Sequence, residues 1–166
     1  MKLSDLEGKR IALWGYGREG RATLAALRWH LPRTPLALLC PQSEAGDALE
    51  LGDPALYIFT EEVTAELLAR FDVVIKSPGI SPYHGAAAQA LARGVRFTSG
   101  SALWFGENPD ARTVCVTGTK GKSTTTALIA HLLRTSGART ALAGNIGLPL
   151  LELLDTERHL LVVTSD

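Results

Sequence analysis

Two glycine-rich stretches carry the residues most suited to chemistry. The first is Gly15-Tyr16-Gly17-Arg18-Glu19-Gly20, a full G-x-G-x-x-G run directly after the apolar stretch Arg10–Trp14. Gly15 permits a tight turn, Gly17 lets a ligand approach the backbone, and Gly20 lets helix and strand pack closely. The helix that follows would offer its unpaired N–H groups to a phosphate. The second is Thr117-Gly118-Thr119-Lys120-Gly121-Lys122-Ser123-Thr124. Gly-Lys-Ser is the working end of a phosphate loop. Its backbone N–H groups wrap phosphate oxygens, Lys122 reaches the β- and γ-phosphates, and Ser123 coordinates Mg²⁺. Val116 stands where the general G-x-x-x-x-G-K-[ST] pattern has its first glycine.

A dinucleotide site would add an acidic residue about 20 residues after the first loop, at the end of the second strand. That place is Cys40-Pro41-Gln42, without a carboxylate. The first loop is therefore read as the seat of some other diphosphate-bearing ligand.

The elements that position these loops follow from apolar patterning. Arg10–Trp14, Leu36–Cys40, Asp72–Lys76 and Val95–Phe97 read as strands. Helices are expected over 18–31, over Glu61–Arg70 with Thr60 as N-cap, and over the Ala-rich 84–93. Strands alternating with helices predict an α/β fold with a parallel sheet. The pattern then restarts. Gly106–Asp110 reads as a connector, and Arg112–Thr117, Thr140–Ala143 and Leu160–Val163 as strands. Helices are expected over 122–136 and Leu148–Leu154. These readings give a Rossmann-like domain over 1–97 and the beginning of a phosphate-loop domain over 98–166. An apolar strand followed at once by Thr164-Ser165-Asp166 is expected of a piece of a longer protein; a short protein with a ragged end is the alternative.

Composition narrows the function classes. The chain has 166 residues, 46% apolar and 20% charged, with seventeen basic and seventeen acidic side chains. A zero formal charge argues against a bulk electrostatic grip on nucleic acid or an anionic membrane. No window approaches the ~18 apolar residues of a membrane span, and MKLSDLEGKR lacks a signal sequence's apolar region. Cys40 and Cys115 end or interrupt apolar runs and read as buried strand thiols in a reducing cytoplasm, not as a metal site. Trp14, Trp29 and Trp104 read as core or junction packing, and His131, on the phosphate-loop helix, as structural.

The loop TGTKGKS resembles T-G-T-[NK]-G-K-[ST], the form found in the Mur ligases and their folylpolyglutamate synthase relatives. GYGREG, Ser77-Pro78-Gly79-Ile80 and Gly144-Asn145-Ile146-Gly147 resemble the muramoylalanine–glutamate branch in order and spacing. The resemblance covers essentially the whole chain. It implies ATP-dependent formation of an amide between UDP-N-acetylmuramoyl-L-alanine and glutamate through an acyl phosphate, in peptidoglycan precursor synthesis in the cytoplasm. It implies ATP phosphates on Gly118, Thr119, Lys120, Gly121, Lys122, Ser123 and Thr124, with Mg²⁺ on Ser123. It implies the UDP diphosphate on Gly15, Tyr16, Gly17, Arg18, Glu19 and Gly20. The uracil would lie near Ser77, Pro78 and Gly79, with Gln42 as an amide substitute for the family's usual Asp-Thr-Arg. Lys122 and Asn145 would act at the reaction centre. The complete enzyme is expected to be monomeric, and this chain to bind without ligating. Lys120, and Thr98–Phe105 without acidic residues, mark a divergent branch, with a lean toward L-glutamate over D-glutamate. Asp166 is a shifted candidate for the family's magnesium-binding glutamate. The rivals are a nicotinamide-dependent oxidoreductase, a non-catalytic nucleotide-binding module, and another Mur-type or folate-type ligase.

Overall fold

Strand runs of Leu, Ile, Val and Ala, buried on both faces, build the first half. In a computed structural model describing residues 1–83, 85–154 and 161–165, β1 (Ile11–Trp14), β2 (Leu36–Leu39) and β4 (Val73–Lys76) are central. β3 (Leu56–Phe59) and β5 (Arg96–Thr98) are the edges of a five-stranded sheet. Its order is β3-β2-β1-β4-β5 and every pairing is parallel. Alternation along each strand feeds two cores. Ile11, Leu13, Leu36, Leu38, Val73 and Ile75 pack on one face against α1 (Arg18–His30) and α2 (Gln42–Leu49). Ala12, Ala37, Leu39 and Val74 pack on the other against α3 (Ala65–Leu68) and α4 (Gly85–Ala92).

The second half has its own parallel sheet. β6 (Thr113–Val116), β7 (Thr140–Gly144) and β8 (Leu161–Ser165) lie in the order β6-β8-β7, with α6 (Lys122–Thr135) between β6 and β7. α5 (Gly100–Glu107) and a 3₁₀ turn at Leu150–Leu153 join the halves. Leu150, Leu151 and Leu153 enter the same buried cluster as Leu24, Leu27, Leu103 and Trp104. The fold is thus α/β, with the second parallel sheet contributing Ala143 and Val162 to one of the two cores of the first.

Several expectations are corrected. The helix expected over Glu61–Arg70 is the single turn α3, capped by Thr64 rather than Thr60. The Thr64 hydroxyl accepts the Leu67 N–H at 3.1 Å, which fixes the start four residues later. α2, β3 and α5 lie where no element is expected, and the last two residues of α5, Gly106 and Glu107, take up the start of the expected connector. In α5, Ser99 is the cap, accepting the Ala102 N–H at 3.2 Å. Leu148–Leu154 shortens to the 3₁₀ turn after Pro149. Cys40 is buried but Cys115 is exposed. Trp104 is buried, whereas Trp29 is 77% exposed on the outer side of α1 and packs no core. His131 is exposed too. His84, Leu160 and Asp166 lie outside the described residues.

One ion pair braces the first sheet. Arg28 pairs with Asp53 and donates to the carbonyls of Thr34 at 2.7 Å and Ala55 at 3.1 Å. The two side chains are only 19% and 16% exposed. Arg28→Ala leaves the Asp53 charge shielded from water without its cation. A loss of about 3 kcal/mol in urea unfolding is expected.

Candidate functional site

Parallel sheets concentrate ligand chemistry at the carboxyl ends of their strands. Here the carboxyl ends of two sheets face one cleft of about 500 Å³. From the first sheet come Gly15, Glu19 and Gly20 after β1, Lys76 to Gly79 around the end of β4, and Ser99 to Ser101 after β5. From the second come Asn145 after β7 and Ser165 at the end of β8. Two glycines are required by contact. Gly15 has φ +97° and a Cβ there would lie 2.5 Å from Ser77 Oγ; a Cβ on Gly20 would lie 2.1 Å from the Gly15 carbonyl oxygen. Nothing lies within 4 Å of a Cβ on Gly17, which leaves its backbone open to a ligand.

The phosphate loop lies apart from this cleft, between β6 and α6. Gly121 adopts the left-handed conformation with φ +76° and caps α6. The Thr125 N–H donates to the Gly121 carbonyl at 2.9 Å as the helix begins. The N–H groups of Lys122, Ser123 and Thr124 precede that first helical bond, as an anion site needs. Lys122 Nζ donates to the Gly118 carbonyl at 2.7 Å and so sits over the loop. This donor set, with the exposed Ser123 hydroxyl beside it, fits a nucleotide triphosphate with Mg²⁺.

Of the expected substrate residues, Gly15, Glu19, Gly20, Ser77, Pro78, Gly79 and Asn145 meet at the cleft. Gly17 lines a smaller groove of about 390 Å³ with Cys40, Pro41, Glu44 and Ile80. Tyr16 joins that groove, although it is 2% exposed and its ring stacks beneath Arg21 at 4.5 Å. Gln42 opens α2, exposed, and lines neither space. Glu44 takes its place at the groove, accepting the Tyr16 N–H at 3.0 Å. The end of β2 has no carboxylate, as expected, and the acidic side chain that does reach the first loop two residues later is engaged with the loop's own backbone. Sequence reasoning also missed Thr23, Lys76, Ser99, Ser101 and Ser165. Ser99 and Ser101 had a signal, since both follow the carboxyl end of an expected strand.

Residues 116–163 match the Mur ligase middle domain. Over 162 residues the chain is 59% identical to a UDP-N-acetylmuramoyl-L-alanine–L-glutamate ligase of Xanthomonas campestris pv. campestris, covering 95% of this chain and 34% of that protein. The chain is similar to Mur ligases over nearly its whole length. A Micromonospora ligase of the same name is 41% identical over 171 residues, covering 99% of this chain and 36% of the relative. The chain thus spans about a third of the length of these relatives. A UDP-N-acetylmuramate:L-alanyl-γ-D-glutamyl-meso-diaminopimelate ligase structure from Neisseria meningitides aligns with a TM-score of 0.48 and 16% identity, over 95% of this chain and 52% of that one. Among the described residues no helix is long and apolar enough to cross a membrane.

The cleft contains two unsatisfied polar atoms. Glu19 Oε1 and Ser165 Oγ are buried without a hydrogen-bond partner among the described residues. Burial pushes the Glu19 carboxyl up from its ordinary value, Arg18 pulls it down, and Glu152 adds to the rise. A carboxyl raised in the folded state costs stability once ionised, and the cost disappears below its unfolded value. Glu19→Gln should therefore melt higher than wild type at pH 7. The difference should close as pH falls through the ordinary carboxylate range, as thermal melts across pH would record.

Proposed function

We propose that this chain supplies the UDP-substrate-binding unit (residues 1–97) and the start of the ATP-binding unit (residues 98–166) of a cytoplasmic amide-forming ligase. The reaction adds L-glutamate to UDP-N-acetylmuramoyl-L-alanine. The observation that carries this reading is the shared cleft, in which the Gly15–Gly20 loop and Asn145 face each other across two sheets. A long substrate can lie with its diphosphate on the first loop and its carboxylate toward the second sheet.

The chemistry suits the residues. A carboxylate is a poor electrophile, so its oxygen takes the γ-phosphoryl group of ATP, ADP leaves, and an acyl phosphate results. Glutamate's amine then attacks, phosphate leaves, and the amine loses a proton as the amide forms. Lys122 and the N–H groups of Gly118 to Thr124 offset charge on the transferring phosphoryl group. Mg²⁺, held in part by Ser123, would add Lewis-acid stabilisation of that charge. Asn145 orients the substrate near its reacting end, while Gly17, Gly20 and the backbone of Arg18 hold the diphosphate. The choice of L-glutamate is supported by the names of the relatives at 59% and 41% identity.

The test is a chimera in which this chain replaces the matching third of the Xanthomonas campestris ligase. Phosphate release that requires ATP, UDP-N-acetylmuramoyl-L-alanine and L-glutamate is expected. A folded chimera that releases no phosphate overturns the reading. Release with D-glutamate in preference to L-glutamate overturns the stereochemical part.

A further inference from the structure

Arg18 reaches across the cleft instead of standing free at a loop tip. Its Nη2 donates to the Gly144 carbonyl at 3.2 Å and to the Asn145 carbonyl at 2.9 Å. The donor opens α1 in the first glycine loop. The acceptors end β7 in the second sheet, more than 120 residues away in sequence. The receiving loop is tightly made. Gly144 has φ +95°, and a Cβ there would lie 2.3 Å from Thr164 Oγ1. The Gly144 N–H donates to the Leu148 carbonyl at 2.8 Å, and the Leu148 N–H returns to the Leu142 carbonyl at 3.1 Å. These bonds close the base of the loop. Arg18 takes the two carbonyls at the head of that loop, those of Gly144 and of Asn145, which lines the cleft.

We propose that Arg18 is a positioning residue, a strut that fixes Asn145 over the cleft so that a ligand seated on the Gly15–Gly20 backbone also meets the second sheet. A cationic donor makes a stronger bond to a carbonyl than a neutral one does. One guanidinium nitrogen shared by consecutive carbonyls restrains both peptide units. A ligand that bridges the two loops favours the strutted arrangement, and the strut favours that ligand by the same factor. A ligand that touches only the first loop gains nothing from it. The ligand's identity rests on the function proposed above; the strut itself does not.

Two measurements on this chain test the proposal separately. The first is amide hydrogen exchange without ligand, comparing wild type with Arg18→Ala and with Arg18→Met, which keeps the apolar stem. Exchange at the hydrogen-bonded amides of Gly144 and Leu148, which close the base of the loop, should quicken about tenfold, while β1 and β2 amides stay unchanged. Unchanged exchange in that loop overturns the strut. General quickening would reflect lost folding, and the variant that keeps the β1 rates then decides. The second is calorimetric titration with UDP and with UDP-N-acetylmuramoyl-L-alanine. Arg18→Ala should weaken the longer ligand about tenfold and UDP less than about twofold. The Arg18→Ala, Asn145→Ala double variant should bind no more weakly than Asn145→Ala alone. Equal losses for both ligands, or additive effects in the double variant, would show Arg18 to be a plain phosphate contact. A wild-type chain that binds neither ligand refutes the proposed function, and hydrogen exchange alone then judges the strut.

Discussion

Lys122→Ala removes the stabilisation that Mg-ATP gives this chain and leaves the unliganded melting temperature almost unchanged. The Lys122 ammonium reaches back over the loop to the Gly118 carbonyl, 2.7 Å away, and anchors no core residue. Its loss therefore costs the fold little. A triphosphate loses a charge-assisted contact at its most negative end. Such contacts are worth about 1.5–3 kcal/mol, so affinity for Mg-ATP should fall about 10- to 100-fold. Titration calorimetry reads this directly. Wild-type affinity in the variant would mean that the Gly118–Ser123 loop does not hold the triphosphate.

The second large effect separates two glycines of one motif. Gly20→Ala places a Cβ 2.1 Å from the Gly15 carbonyl oxygen and 3.0 Å from its carbon, so backbone must move. A destabilisation of about 2–4 kcal/mol is expected, with loss of UDP-ligand binding. Gly17→Ala meets nothing within 4 Å and sits at ordinary backbone angles, φ −66° and ψ −169°. It should fold as well as wild type yet bind a UDP ligand at least about tenfold more weakly, because its methyl group stands where the ligand approaches. Urea unfolding and titration of the two variants check the pair. Gly17→Ala binding as tightly as wild type would move the ligand off this backbone.

Both effects come from features legible in the sequence. A glycine loop between a buried strand and a helix has few structural solutions, and β1, α1, β4, β6 and α6 form where the apolar runs place them. The glycine tasks follow from sterics local to one turn. What was not legible depends on contacts between distant segments. α2 carries Gly46 and a mixed face, and only Ala45 and Ala48 of it are buried, against the sheet. β3 carries an apolar run, Leu56–Phe59, that was open to reading, although as an edge strand it leaves Tyr57 57% exposed. α5 exists because Ser99 caps it and because Leu103 and Trp104 close a core with Leu150 and Leu151 from the second half. No window of sequence around residue 100 contains that partner.

The site divides the same way. Residues inside a motif were found, and those that the topology delivers were not. Ser165 enters the cleft because β8 lies between β6 and β7, an order no local pattern specifies. Glu44 reaches the first loop because α2 begins at once after β2 and turns its carboxylate to the Tyr16 N–H. The carboxylate was sought at a fixed offset, whereas helix geometry set where it arrived.

Scanning calorimetry of the chain with three separate ligands tests the central assignment most directly. UDP-N-acetylmuramoyl-L-alanine at about 100 times its Kd should add about 2.7 kcal/mol of stability. Mg-ATP should stabilise independently, and NADH should do nothing. Stabilisation by NADH alone, with no response to the UDP-sugar, would contradict the assignment of the Gly15–Gly20 cleft to a Mur ligase substrate.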